Sequence, residues 1–224
     1  MTNKTPKTRS DFSEPDSPWK PLGARQEDRD VKKQAVLRAA SRLFLERGWN
    51  RATLQELADR LNITKPALYN YFSSKEDILR HCLPLNEEMT LAAFDKAEAH
   101  SGTGRERLRV FLELYAAINM SERGAFPNRL DDRELQDELR QELRAIKRRI
   151  DRRARALVEA GIADGSITPC DVRLTTFAFM GAIQSISRWY RPDGPQASEE
   201  IAREFATRII CGLLPSEIRD RTNA

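Results

Sequence analysis

Residues 53–79 read TLQELADRLNITKPALYNYFSSKEDIL and divide into three helical segments with two short stops between them. Thr53 and Glu56 have the spacing of a capping box, in which a hydroxyl and a carboxylate three residues apart satisfy the free N–H groups of a helix start. Leu54, Leu57, Ala58 and Leu61 follow at i, i+3, i+4 and i+7, the apolar row of a short amphipathic helix. Asn62 ends that helix, because asparagine tolerates the left-handed backbone of a tight turn. Thr64 caps the next segment, Lys65 to Phe72, where Pro66 is acceptable because the first turn leaves its missing N–H without a partner to lose. Leu68 and Phe72 face inward together. Ser73 and Ser74 open the third segment, with Glu76 and Asp77 in its first turn and Ile78, Leu79 and Cys82 on its buried side.

Upstream, Val36, Ala39, Ala40, Leu43 and Phe44 recur at helical spacing over about Asp30 to Arg47. Gly48 supplies a left-handed cap, and Trp49 is placed to fold back on Phe44. Two short helices joined by a tight turn form a helix-turn-helix, whose second helix enters the DNA major groove. Here that helix offers Lys65, Tyr69, Asn70 and Tyr71 opposite its apolar pair. Thr53 and Thr64 sit at helix starts, where backbone N–H groups hold phosphates. Lys75 is placed for a phosphate, Asn70 for an adenine edge, and the Ala67 methyl for a thymine methyl. The alternative is that the tyrosines beside Leu68 and Phe72 are simply core.

The charge follows the same division. The whole chain carries a formal +4, but residues 31–80 hold ten basic against five acidic side chains, so the remainder is close to neutral. A basic amino-terminal module on a neutral body suits an end that meets phosphate.

Cys82, Cys170 and Cys211 are odd in number and lack C-x-x-C spacing, so neither a disulfide framework nor a metal site is indicated. With two histidines in the chain there is little material for acid-base catalysis, and the reading is of a non-enzyme without cofactor. No secretory leader is recognised, and no apolar run approaches the roughly 20 residues of a membrane span. A cytoplasmic protein is expected.

The expected architecture is all-α, about nine helices in two domains: an N-terminal three-helix helix-turn-helix domain over 29–80 and a helical ligand-binding and dimerisation domain over 81–215. A disordered arm over 1–28, rich in Pro, Ser and Thr, and a tail over 216–224 flank them. Beyond Pro84 the pattern predicts helices over about Leu85–Ala99 and Arg105–Met120, then a looser stretch at Ser121–Asp132 holding Gly124 and Pro127. Leu135, Leu139, Leu143, Ile146, Ile150 and Leu157 trace one face of a helix over Arg133–Ala160, about 40 Å long. Two more helices, Asp171–Tyr190 and Ser198–Leu214, are split by Arg191 to Pro195.

Ala178, Gly181, Ala182 and Ser185 form a small-residue face that lets another helix approach closely. Either a second copy or intrachain packing would use it. Candidate walls of an apolar ligand cavity are Phe111, Tyr115, Phe126, Phe177 and Met180, each of which also reads as core. Arg188 and Trp189 precede a Pro-Asp-Gly-Pro turn, and an arginine there suits a phosphate or carboxylate, or a structural ion pair. The run Arg144, Lys147, Arg148, Arg149, Arg152, Arg153 and Arg155 is either a solvated face or an anionic docking site.

LFLERG at 43–48, Thr53 to Leu61 and TKPALYNYFSSKEDIL at 64–79 together resemble the TetR family of transcription regulators. The resemblance covers about Val36 to Leu79; the rest is similar in helical layout. It implies DNA contacts by Lys65, Tyr69 and Lys75, with Thr53, Thr64 and Pro66 near the backbone. The frequent Tyr-Tyr-His of the family's recognition helix is Tyr69, Asn70 and Tyr71 here, which alters the expected base preference. It also implies a homodimer through the last two helices, to which Phe205 and Ile209 are assigned beside the small-residue face. The implied function is a repressor on palindromic, double-stranded operator DNA, released by a small-molecule effector. The Arg188 to Ala202 segment is similar to acyl-CoA-sensing members. An activator or a ligand-independent regulator would share these features; a helical adaptor for other proteins is the reading from a different class.

Overall fold

The computed structural model describes residues 26–213, and among them it contains nine α-helices and no strand. Residues 1–25 of the expected arm and the tail lie outside the described residues, while residues 26–28 already belong to a helix. The chain separates into two compact units, one up to Cys82 and one from Leu83 onward.

The first unit contains α1 (Gln26–Arg47), α2 (Leu54–Arg60), α3 (Lys65–Tyr69) and the start of α4 (Lys75–Glu98). Gly48, at φ +79°, closes α1 by donating its N–H to the Phe44 carbonyl at 3.0 Å. Trp49 turns back so that its ring meets Phe44 edge-on, with centroids 5.2 Å apart. The Thr53–Glu56 capping box forms in both directions. Asn62 takes φ +59°, alone among the described non-glycine residues in being positive. Ile63 N–H reaches the Ala58 carbonyl and Asn62 N–H the Asp59 carbonyl, the paired bonds that end a helix in a left-handed turn. Thr64 accepts the Ala67 N–H at 3.3 Å, and α3 begins with Pro66 in its first turn. Val36, Ala39, Leu43, Leu57, Leu61, Leu68, Phe72 and Ile78 are all buried in one core.

Two expectations change. Helix α4 runs through Pro84 without a break, so the predicted separate helix from Leu85 does not exist. Proline removes one backbone bond and costs about 3 kcal/mol in a helix interior; buried Ile78, Leu79 and Leu83 before it and Ala93, Phe94 and Ala97 after it hold the helix together by packing. The stretch read as loose is helix α6 (Glu122–Arg129), capped by the Ser121 hydroxyl, and a 3-10 turn at Asp132–Glu134. Gly124 is there because a Cβ would lie 2.0 Å from the Ile118 carbonyl oxygen, not because the chain is irregular. The long helix accordingly starts later, as α7 (Asp137–Ala163).

In the second unit α5 (Gly104–Met120) is central, packed against α6, α7, α8 (Val172–Trp189) and α9 (Ser198–Gly212). Phe94 of α4 stacks on Phe111 at 4.0 Å, and Phe111 on Tyr115 at 5.4 Å. The start of α5 approaches the end of α7 at Gly104 and Gly161, where a Cβ on Gly104 would fall 2.3 Å from a backbone nitrogen. Asp164 seals that junction by accepting the Gly104 N–H at 2.6 Å. Arg149 binds Glu87 through two bonds of 2.6 and 2.8 Å, and Arg153 binds Asp95 and Glu98, tying α7 to the later turns of α4. The basic run is thus largely engaged: Arg144 pairs with Asp132 and Arg155 with Asp151.

Candidate functional site

On the first unit α3 turns Leu68 into the core and leaves Thr64, Lys65, Pro66, Tyr69 and Asn70 exposed, with Ala67 and Tyr71 half-buried. Tyr69 is 47% exposed, a value incompatible with the core reading of that ring. The Lys65 ammonium lies over the Tyr69 ring, 6.0 Å from the centroid, so a cation and an aromatic ring share one short surface. Thr53, at the start of α2, is exposed as well. Lys75, expected at the same surface, is half-buried. That ammonium donates to the Trp49 carbonyl at 2.8 Å and to the Ala52 carbonyl at 3.4 Å, and lies 4.4 Å from the Trp49 ring centroid. Its place in this structure is to fix the α1–α2 loop against the start of α4.

Two further groups support this surface. Arg29 of α1 donates to the Asn70 carbonyl at 3.3 Å, anchoring the end of α3; nothing in a helical periodicity marks that contact. Asp77 accepts the Ser73 N–H at 2.8 Å and its hydroxyl at 3.0 Å. Burial opposes its ionisation, but the Ser73 hydrogen bonds, with His81 and Arg80 nearby, bring its pKa below the usual aspartate value.

The second unit holds a partly open cavity of about 390 Å³ between α4, α5, α6, α7 and α8. Leu143, Ile146 and Ile150 of α7 and Phe177 and Met180 of α8 make its apolar wall. Its polar end is built from Asn86, Tyr115, Asn128 and Gln184. Gln184 Nε2 donates to the Tyr115 hydroxyl at 2.9 Å, while Asn128 Nδ2 donates to Asn119 Oδ1 at 2.7 Å. Asn86 Nδ2 donates to the Gly124 carbonyl at 3.1 Å. Burial drives the Tyr115 pKa up, so it stays a neutral phenol. Lys147, exposed, and Asp151, paired to Arg155, are the charged groups on the lining.

Of the residues proposed for a ligand, Tyr115, Phe177 and Met180 line this cavity. Phe111 and Phe126 are buried in the core and do not. Arg188 and Trp189 are exposed at the end of α8 and do not line it either, the Trp189 ring stacking on Phe205 at 5.9 Å. The sequence reading did not assign Asn86, Asn128, Leu143, Ile146, Ile150 or Gln184 to this cavity. A signal existed for Gln184, which lies four residues after Met180 and seven after Phe177 on one helix face.

The face assigned to a second copy is open within the chain. Ala178 and Gly181 are exposed, Ala182, Ser185, Phe205 and Ile209 half-buried, and a Cβ on Gly181 would meet nothing within 4 Å. Leu174, Phe177 and Trp189 add large apolar side chains 63%, 49% and 47% exposed on the same helix. Among the described residues, intrachain packing leaves Ala178 and Gly181 of this face exposed and covers Ala182, Ser185, Phe205 and Ile209 in part.

Among the described residues there is no group of three or more potential metal-ligating side chains, and no helix is long and apolar enough to cross a membrane. Comparison with known proteins agrees with the fold. The family model of bacterial regulatory proteins of the tetR family matches residues 36–82, and that of the tetracyclin repressor-like C-terminal domain matches residues 101–213. The HTH-type transcriptional repressor KstR2 of Mycolicibacterium smegmatis is 24% identical over 207 residues, 91% of this chain and 97% of the relative. The TetR-family regulator PfmR of Thermus thermophilus is 31% identical in a superposition covering 78% of this chain and 96% of PfmR, with a TM-score of 0.68. AibR, solved with isovaleryl coenzyme A and operator DNA, shares the fold at 23% identity and a TM-score of 0.71, over 82% of this chain and 98% of AibR. The chain belongs to the TetR family of bacterial transcription regulators, and it is a regulator, not an enzyme.

Proposed function

We propose that the protein is a ligand-responsive repressor that binds two-fold operator DNA as a homodimer and leaves it when a small molecule fills the cavity of the second unit. The observation that carries the reading is the exposed Lys65–Tyr69 surface of α3, presented by a turn with the backbone geometry a helix-turn-helix needs. One such helix reads few bases, so two copies on successive major grooves about 34 Å apart supply affinity and specificity. The open face of α8 and α9 supports the second copy. The repressor name of KstR2 supports the sign of regulation, and the isovaleryl coenzyme A in AibR supports an effector of comparable kind, an acyl-CoA among the candidates.

Coupling in this reading goes through α4, which carries Asn86 of the cavity wall and, at its start, Lys75 and Asp77 of the DNA-binding unit. An effector acts only by favouring the setting of α4 that is wrong for the operator. The test is a labelled mixed-sequence duplex titrated with the full chain across a salt series. Binding should weaken steeply as salt rises, and the slope should fall by about one for Lys65→Ala. No binding at any salt would remove the DNA-binding reading and favour the adaptor.

A further inference from the structure

We infer that the cavity selects an amphipathic ligand whose buried head is an uncharged carbonyl or amide on a hydrocarbon body, and that it rejects the corresponding free carboxylate; this rests on reading the cavity as the effector site. The polar end is one continuous network. The Tyr115 hydroxyl is surrounded by the side chains of Gln184, Asn119 and Asn128, Asn119 in turn donates to the Tyr115 carbonyl at 2.9 Å, and Asn128 and Asn86 converge on the Gly124 carbonyl. Every member is neutral. The amides and the phenol together carry both donors and acceptors, which a carbonyl or amide head matches.

A carboxylate at that end would lose its water and find no cation among Asn86, Tyr115, Asn128 and Gln184, so neutral donors alone would have to offset the desolvation of a full charge. A bare hydrocarbon there would strip water from the amides without replacing their hydrogen bonds. Leu143, Ile146, Ile150, Phe177 and Met180 of the lining offer only apolar groups, which suits the hydrocarbon. Lys147 is the cation on the lining, but it is exposed and lies near the carboxylates of Asp131 and Asp132.

The experiment is calorimetric titration of the full chain with octanamide and with octanoate, probes of equal chain length that differ in head charge at neutral pH. Octanamide should bind about tenfold more tightly or better. Gln184→Leu should abolish most of that preference while unfolding at a temperature close to that of the unsubstituted chain; Lys147→Ala should leave it in place. Tyr115→Phe is the second variant, and it should also reduce octanamide binding. Octanoate binding as tightly as octanamide, neither probe binding, or a preference undiminished in both Gln184→Leu and Tyr115→Phe would overturn the inference. DNA affinity measured in parallel separates the two claims: failure of both probes with DNA binding intact removes the ligand class and leaves the regulator, whereas octanamide that binds with the stated preference yet does not release DNA supports the ligand class and removes the effector role.

Discussion

The Lys75 ammonium is held 4.4 Å from the Trp49 ring centroid while donating to the Trp49 carbonyl at 2.8 Å, so one side chain joins the start of α4 to the loop after α1. A cation over tryptophan and a charge-assisted bond to a carbonyl each stabilise by about 1 kcal/mol in a half-buried setting. Lys75→Met should therefore lower unfolding free energy by about 1–2 kcal/mol in denaturant titration. Lys65→Ala, on the exposed surface, should change stability by less than about 0.5 kcal/mol and act on DNA affinity instead. Equal stability losses for the two would contradict the division of roles.

Asn62 at φ +59° sets the turn between α2 and α3. Asn62→Gly should be neutral or slightly stabilising, whereas Asn62→Val should cost about 1–2 kcal/mol, because a β-branched residue resists the left-handed region. Chemical denaturation of the three proteins orders them directly.

The pKa of Asp77 is lowered in the folded chain, so its contribution to stability is present above the ordinary aspartate range and disappears as pH falls through the folded value. Asp77→Asn should therefore be less stable than the natural chain at about pH 6, and the gap should close as the pH drops below about 4. A gap that stayed constant from about pH 6 to about pH 3 would show that Asp77 acts only through shape.

The open space over Gly181 makes the dimer reading testable by size. Gly181→Arg should leave the helical content and fold of each protomer intact, since nothing in its own chain lies within 4 Å of the new Cβ. It should nevertheless convert a dimer to monomer in sedimentation experiments, because a large charged side chain would be buried in the contact. A dimer that persisted would place the interface elsewhere.

How much of this was legible in the sequence depends on what holds each element. The capping box, Asn62, Thr64 and the Gly48–Trp49 cap act between residues a few positions apart, and all were read correctly. The buried row Leu139, Leu143, Ile146, Ile150 and Leu157 of α7 was equally plain, being periodic over several turns. Pro84 and α6 were not, because local preference opposes a helix in both places and tertiary packing overrides it: buried neighbours flank Pro84, and the Ile118 carbonyl sits against Gly124. The cavity was half legible. Phe177 and Met180 follow helical spacing on α8, with Gln184 on the same face, whereas Asn86, Asn128 and the α7 residues come from other helices and meet them only through the fold. The bonds of Lys75 within the chain were not legible, because a lysine at a helix start reads the same whether its partner is a phosphate or a carbonyl of its own chain.

The central claim is that the α3 surface reads operator DNA, and the most direct measurement is selection of genomic fragments by the purified chain beside a Lys65→Ala, Tyr69→Ala double variant. The account predicts enrichment of one two-fold motif by the natural chain and loss of that motif in the variant, with the fold of both unchanged by circular dichroism. Enrichment of nothing across a range of salt, or the same motif enriched by both proteins, would contradict it.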